Sequence, residues 1–323
     1  MKESYNKEAM PKSSWIDAVI IWGTMAKDMN APFQHNNKQM NGHSAVLRIV
    51  CPDKPGLVAL FSGFVSSHQG NILHADQHLD RRHGLFLTRL EWALEGFSIP
   101  QADIHTQFQP IAQSVGAVWN LDFSNQEKRV AVFVSKTDHC LRDLIWKVHN
   151  GELPCQIALV VSNHEQCRAF VEREKIRFVC IPVHAENRRT QEHVQLALVQ
   201  EERVNLIVLA RYMQILSPEF VALAPPTVNI HHSFLPAFAG AQAYEQAYQR
   251  GVKLIGATAH YVSDQLDGGP IIAQNTATVS HRDELEDFKR KGRSIERDVL
   301  THATRAHLLH RVLVYKNRTV VFD

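Results

Sequence analysis

No apolar run in this chain of 323 residues is long enough to span a membrane as a helix. About 20 consecutive apolar residues are needed, and the one apolar stretch near the start, residues 18–22, falls far short. Neither a transmembrane anchor nor a signal peptide is expected. Charge of one sign is also lacking: the formal net charge is +2, with Lys and Arg scattered among Asp and Glu. Without a basic stripe to follow a phosphate backbone, nucleic acid is not an expected partner. The five cysteines, Cys51, Cys140, Cys155, Cys167 and Cys180, are an odd number and include no C-x-x-C pair. This argues against a disulfide framework or a thiolate zinc site and predicts buried free thiols in a reducing cytosol. The nineteen histidines invite a metal, yet no H-E-x-x-H run is present. His74 and His78 are four apart in a segment that reads as a strand, where that spacing makes no helical clamp, so no metal is expected.

What is present is an ordinary globular composition, 45% hydrophobic and 21% charged, in a chain long enough for two cores. The first 43 residues differ: Met1, Met10, Met25, Met29 and Met40 cluster there, and residues 30–43 are polar and aperiodic. A disordered extension is expected over 1–43, with Met40 a candidate internal start.

From residue 44 the pattern becomes regular. A strand over 44–51 meets Pro52-Asp53-Lys54-Pro55-Gly56, which stops it and starts a helix. Leu57, Leu60, Phe61, Phe64 and Val65 fall at helical spacing, and Gly70 closes that helix. Strands over 71–79 and 84–93 flank a charged turn. A helix over 102–115 and a strand over 117–121 complete the order βαββαβ, which is ferredoxin-like. A polar linker, 122–128, follows. Strands and helices then alternate: strands over 129–135, 156–162, 177–181 and 205–210, helices over 139–149, 164–174 and 190–202. Near-continuous apolar strands such as Ile157-Ala158-Leu159-Val160-Val161 predict a mostly parallel sheet covered on both faces. A long helical region, 282–313, and a final strand, 314–322, close the chain.

The chemistry-bearing residues cluster late. An apolar strand over 227–230 delivers Asn229 and His231, two residues apart and so on one side of the strand end. A second strand, 254–262, carries His260 and runs into a loop where Asp267 is followed by Gly268 and Gly269, which allow close approach of backbone to a ligand. Taken singly these read as a turn cap, a core histidine and a turn aspartate. Together at strand ends of an α/β sheet they predict an acyl-transfer site. There is no G-x-S-x-G elbow around Ser233, so a serine nucleophile is not expected.

Two resemblances follow from these residues. The first region, 44–121, resembles the ACT family of regulatory domains through Asp53-Lys54-Pro55-Gly56-Leu57 and Gly70-Asn71-Ile72. That implies an amino-acid effector held near Asp53, Pro55, Gly56 and Leu57, and pairing between subunits into a homo-oligomer. The second region, 129–323, is similar to the Rossmann-like folate-dependent formyltransferase fold. The carrying residues are Asn229-Ile230-His231, Ser233-Phe234-Leu235-Pro236, His260 and Asp267-Gly268-Gly269-Pro270. This resemblance implies that Asn229, His231 and Asp267 are a catalytic trio supported by His260. It also implies that the folate pocket is bordered by Met213, Gln214, Ile215 and Leu216 with Gly268 and Gly269. The substrate implied is 10-formyltetrahydrofolate, with no tightly bound cofactor. Physical chemistry agrees, since donors such as Asn229 and protonated His231 act where an oxyanion develops, and a carboxylate favours that cation and orients or deprotonates the attacking group.

The acceptor is read at the other end of this region. Glycinamide ribonucleotide transformylases hold a substrate phosphate on a Gly-rich loop after the first strand, whereas here Val134-Ser135-Lys136-Thr137-Asp138-His139-Cys140-Leu141 has no glycine and an added carboxylate. With that run the chain resembles the formyltetrahydrofolate deformylases, which implies water as acceptor and formate as a product for purine synthesis and one-carbon balance. It departs from their pattern at Gly240-Ala241-Gln242-Ala243-Tyr244, where a proline usually precedes the tyrosine. A formyltransferase to an amine and a non-catalytic amino-acid or folate sensor are the alternatives; the missing phosphate loop counts against the first and the intact trio against the second.

Overall fold

The computed structural model describes residues 42–237 and 242–322. The expected extension therefore lies outside the described residues except for Gly42 and His43, and so does most of the departing loop at 240–241. The chain divides into two compact units between Phe123 and Ser124.

The first unit runs β1 (Ser44–Pro52), α1 (Leu57–Ser67), β2 (Ile72–Asp80), β3 (Leu85–Ala93), α2 (Ile104–Ser114) and β4 (Val118–Phe123). Its sheet has the order β2-β3-β1-β4 and is antiparallel throughout. Gly56, at φ 90°, takes the left-handed turn that releases β1 into α1. Phe61, Phe64, Trp92 and Phe108 are buried between the helices and the sheet. β4 continues two residues beyond the expected end because Asp122 pairs with Arg48 of β1 at 2.8 Å.

The second unit begins with β5 (Arg129–Val134), α3 (His139–His149), β6 (Gln156–Ser162), α4 (Arg168–Arg173), β7 (Arg177–Cys180), α5 (Arg188–Glu201) and β8 (Leu206–Ala210). It continues through α6 (Pro218–Leu223), β9 (Thr227–His231), α7 (Ala243–Gln249), β10 (Leu254–Tyr261), β11 (Ile271–Thr278), α8 (Leu285–Leu308), β12 (Val312–Tyr315) and β13 (Arg318–Val321). Seven strands form one sheet in the order β11-β10-β9-β8-β5-β6-β7, parallel from β9 to β7 and antiparallel at β9–β10 and β10–β11. Alternation along β5 shows why both faces are covered. Val130, Val132 and Val134 join the core that includes Leu300 and Ala303 of α8. Ala131 and Phe133 join the opposite core with Val199 and Phe220.

Three expectations are corrected. The helix expected over 164–174 is confined to α4, because Ser162 Oγ accepts from the His164 amide and holds the chain in a turn. The final strand is a hairpin, β12–β13, folded at Lys316 with φ 52°, and His310 at φ 52° ends α8 before it. The edge strand β11 and the short helices α6 and α7 were not anticipated; Ile271 to Thr278 lacks a clean apolar alternation because it lies at the sheet's edge. The five cysteines are free, with Cys51, Cys140 and Cys167 buried and Cys155 and Cys180 only partly so. Among the described residues no helix is long and apolar enough to cross a membrane.

Phe133 lies fully buried against the edges of Tyr212 and Phe220. Phe133→Ala is expected to destabilise the second unit by about 3–5 kcal/mol, read as a lowered urea midpoint of its unfolding.

Candidate active site

The carboxyl end of β9 carries Asn229 and His231, and the antiparallel β10 pairs His260 with Asn229 across the ladder. Beyond β10 the chain turns back through residues 262–270, and the Tyr261 amide donates to the Pro270 carbonyl at 2.9 Å. This return brings Asp267 over the strand ends. Its Oδ2 lies 3.2 Å from His231 Nδ1 and its Oδ1 lies 3.7 Å from His260 Nε2. His260 Nδ1 donates to the Tyr261 carbonyl at 2.8 Å, which leaves its Nε2 to accept from Asn229 Nδ2 at 3.1 Å. One amide proton of Asn229 is thereby engaged, and the second remains for a ligand oxygen.

The four residues Asn229, His231, His260 and Asp267 thus meet in one place. With His231 Nδ1 facing Asp267, its Nε2 is buried and makes no hydrogen bond among the described residues. A buried imidazole nitrogen without a partner needs a reason, and a substrate atom supplies one.

Asp267 is a non-glycine residue at φ 53°, in the left-handed region. The glycines after it are also needed by the protein's own packing. A Cβ on Gly269 would lie 1.8 Å from the Tyr261 carbonyl oxygen, so Gly269 approaches the protein's own backbone, and Gly268 is similarly crowded by Gln265 at 2.8 Å. Gly268 also gives its carbonyl to Asn317 Nδ2 of the terminal hairpin at 2.9 Å.

The Asp267 carboxyl is held well below the usual carboxylate range. The hydrogen bond from His231 is the main cause, and burial opposes it. His260 Nε2, at 3.7 Å and accepting from Asn229, is beyond hydrogen-bonding reach of the carboxylate and makes no comparable contribution. His232, next in the chain, is buried and pushed down to about 4 by loss of solvent and by the nearby Arg211 and His231.

The remaining expected residues are more dispersed. Met213, Gln214, Ile215 and Leu216 follow β8, the strand beside β9; the Met213 amide donates to Ser135 Oγ at 2.9 Å. Met213 and Ile215 present more than half of their surface to solvent, while Leu216 packs on a core. Asp53, Pro55, Gly56 and Leu57 belong to the first unit, where they form the turn into α1.

Sequence reasoning missed two groups. Thr258, fully buried on β10, donates to the Ser233 carbonyl and accepts from the Leu235 amide and Gln274 Nε2, which fixes the loop after His231. Ser233 Oγ closes the same loop on the Ala237 carbonyl. The second group centres on Glu296, 1% exposed on α8 and bonded to His139 and Tyr244. Its signal was a glutamate set directly beside Ile295 on an amphipathic helix.

A depressed carboxyl pKa adds stability above the ordinary carboxylate value of about 4. That contribution is lost as pH falls through the folded-state value. Asn tolerates the left-handed conformation, so Asp267→Asn removes the charge without straining the turn. Wild type is expected to exceed Asp267→Asn in stability at pH 7, and the gap is expected to shrink below about pH 4 in urea titrations.

A protein-family model described as "Formyl transferase" matches residues 128–304. The chain is 50% identical to a formyltetrahydrofolate deformylase of Synechocystis sp. over 283 residues, 88% of this chain and all of that one. It is 46% identical to a formyltetrahydrofolate deformylase of Bacillus subtilis over 86% of this chain and 93% of the relative. The crystal structure of a formyltetrahydrofolate deformylase from Pseudomonas syringae superposes with a TM-score of 0.85 at 44% identity, covering 88% of this chain and 96% of that one. A glycinamide ribonucleotide transformylase 1 from Symbiobacterium toebii shares the fold more distantly, with a TM-score of 0.59 and 28% identity over 63% of this chain and 98% of that one. These likenesses extend through both compact units for the deformylases, and the chain belongs to the formyltetrahydrofolate deformylase family.

Proposed function

We propose that this chain hydrolyses 10-formyltetrahydrofolate to tetrahydrofolate and formate, with Asn229, His231 and Asp267 as the catalytic trio and His260 in support. The observation that carries this reading is the juxtaposition of an ionised carboxylate, Asp267, with an imidazole whose Nε2 has no partner among the described residues, at the end of β9. Water attacks the formyl carbon. The remaining Asn229 proton and the Nε2–H of His231 in its imidazolium form donate to the formyl oxygen as negative charge builds there. Asp267 stabilises that imidazolium and orients the water. A carboxylate held this far down is a weak base, so its role leans toward orientation and charge stabilisation, with proton transfer late. The carbon–nitrogen bond to the folate breaks, the folate nitrogen takes a water proton, and formate leaves. The residues Met213, Gln214, Ile215 and Leu216, with Gly268 and Gly269, line the folate side in this reading, and apolar exposure at Met213 and Ile215 suits a flat ring. The site needs no bound cofactor for these steps.

The first unit, taken as an ACT-like regulatory domain over about 44–121, completes the proposal, with the catalytic domain over about 129–323. A cleft bordered by Asp53, Lys54, Gly56, Leu57, Gln77 and Phe86 lies at the start of α1, where free amide groups suit an amino-acid carboxylate. The edge strand β2 leaves Leu73 and Leu79 exposed, a surface that pairing between subunits would cover. The working protein in this reading is a cytoplasmic homo-oligomer whose formate feeds purine synthesis.

Purified protein given 10-formyltetrahydrofolate and water alone is expected to release tetrahydrofolate and formate in equal amounts; turnover that starts only when an amine is added would contradict hydrolysis. Asp267→Asn is expected to keep folate binding and lose about 10² or more in rate, measured by formate release under saturating substrate. Glycine and methionine are the first effectors to assay. Gly56→Ala, strained at φ 90°, is expected to weaken the amino-acid response while hydrolysis without effector persists.

A further inference from the structure

Open α/β sheets bind ligands beyond the carboxyl ends of their strands, where the strand order reverses. Here the chain runs from β5 outward through β6 to β7 and returns to β8 on the other side of β5, so the crevice lies between the ends of β5 and β8. Four side chains gather beside it. Glu296 accepts from Tyr244 Oη at 2.6 Å and meets His139 Nε2 at 2.8 Å, with Arg211 Nε 3.5 Å away. His139 starts α3 after β5, and Arg211 immediately follows β8. Burial alone would raise the Glu296 carboxyl, but its bonds from His139 and Tyr244 and the Arg211 charge hold it below the ordinary range.

The neighbourhood is shaped for this cluster. A Cβ on Gly292, one turn before Glu296 on α8, would lie 2.1 Å from Tyr244 Oη. A glycine inside a helix costs about 1 kcal/mol relative to alanine, and here it leaves the space that the tyrosine ring and hydroxyl take beside the carboxylate. On the other flank Ser135 Oγ donates to Asn163 Oδ1 at 2.7 Å and accepts from the Met213 amide, which ties together the loops after β5, β6 and β8. His139, Cys140 and Glu296 bring metal-ligand atoms within 4.8 Å of one another. With His139 and Glu296 bonded to each other and a guanidinium beside them, the arrangement pairs charges and does not suit a divalent cation. One imidazole separates the cluster from the trio: the His232 ring lies 5.6 Å from that of Tyr244 and 5.0 Å from that of His231.

We propose that the Glu296 cluster, with His139, Tyr244 and Arg211, is the specificity element that restricts the acceptor to water. It stands at the crevice through which an amine would reach the formyl carbon, and its carboxylate engages the Arg211 guanidinium that would otherwise be available to hold an anionic acceptor. The inference rests on the hydrolytic reading of the trio. A fold shared with a transformylase shows that the scaffold accommodates either outcome, so the choice falls to the side chains in this crevice. Transfer would form a bond from the amine nitrogen to the formyl carbon, break the bond from that carbon to the folate nitrogen, and move the amine proton to the folate.

The test compares wild type with His139→Ala/Glu296→Gln, each given 10-formyltetrahydrofolate with glycinamide or with aminoethyl phosphate, and quantifies formylated amine against formate by mass spectrometry. Wild type is expected to yield formate alone. The double variant is expected to raise the formylated fraction at least about 10-fold, the scale of pocket-based discrimination, and more for the phosphorylated amine because Arg211 loses its carboxylate partner. A folded, folate-binding double variant that still yields only formate overturns the proposal, as does a wild type that formylates glycinamide. If the double variant does not fold, His139→Ala alone decides, since His139 is partly exposed; a smaller rise supports the proposal and no rise overturns it. A wild type that releases no formate removes the hydrolytic reading itself, which separates the two failures.

Discussion

The contact between Asp267 and His231 is the constraint on which the rest of the site depends. At 3.2 Å it holds the carboxylate in its charged form, engages Nδ1 of His231 and leaves Nε2 as the nitrogen that the proposed reaction offers to substrate. Much of the second unit serves that geometry. The β9–β10 ladder sets His260 opposite Asn229, a β10 that returns through a tight loop carries Asp267 back over the strand ends, and the terminal hairpin holds that loop at the Gly268 carbonyl. Gly269 is required because no side chain fits against the Tyr261 carbonyl.

Seen from the sheet, two neighbouring regions have opposite characters. At β9 a buried nitrogen lacks a partner among the described residues, which a substrate atom would supply in the proposed reaction. At the β5–β8 crevice the carboxylate of Glu296 is bonded on both oxygens, and the glycine at 292 makes that bonding possible. A buried ion pair contributes little net stability compared with apolar packing, so stability alone does not account for the Glu296 cluster. Control of the acceptor is the further reason proposed.

The trio was legible because its members lie in short linear runs whose spacing and flanking glycines carry meaning without knowledge of contacts. The parallel sheet was legible in the same way, from apolar strands such as Ile157 to Val161. Glu296 was not, because a glutamate on a helix reads as a solvated position until the helix is known to bring it against His139 and Tyr244. The pairing of Asn317 with Gly268 joins residues 49 apart and leaves no local trace. The crowding of Gly268 by Gln265 and of Gly269 by the Tyr261 carbonyl was hidden for a related reason: a glycine signals close approach but does not say to what. The hairpin at 312–321 read as one strand because the left-handed turn at Lys316 uses a residue that seldom marks turns.

The most direct test of the account is the ionisation of Asp267 itself, followed by carbon NMR of the labelled side-chain carboxyl in wild type and in His231→Gln. The account predicts a carboxyl that stays ionised through the ordinary carboxylate range in wild type and titrates higher in His231→Gln. A wild-type Asp267 that titrates near the ordinary value of about 4, unmoved by the loss of His231, would contradict it.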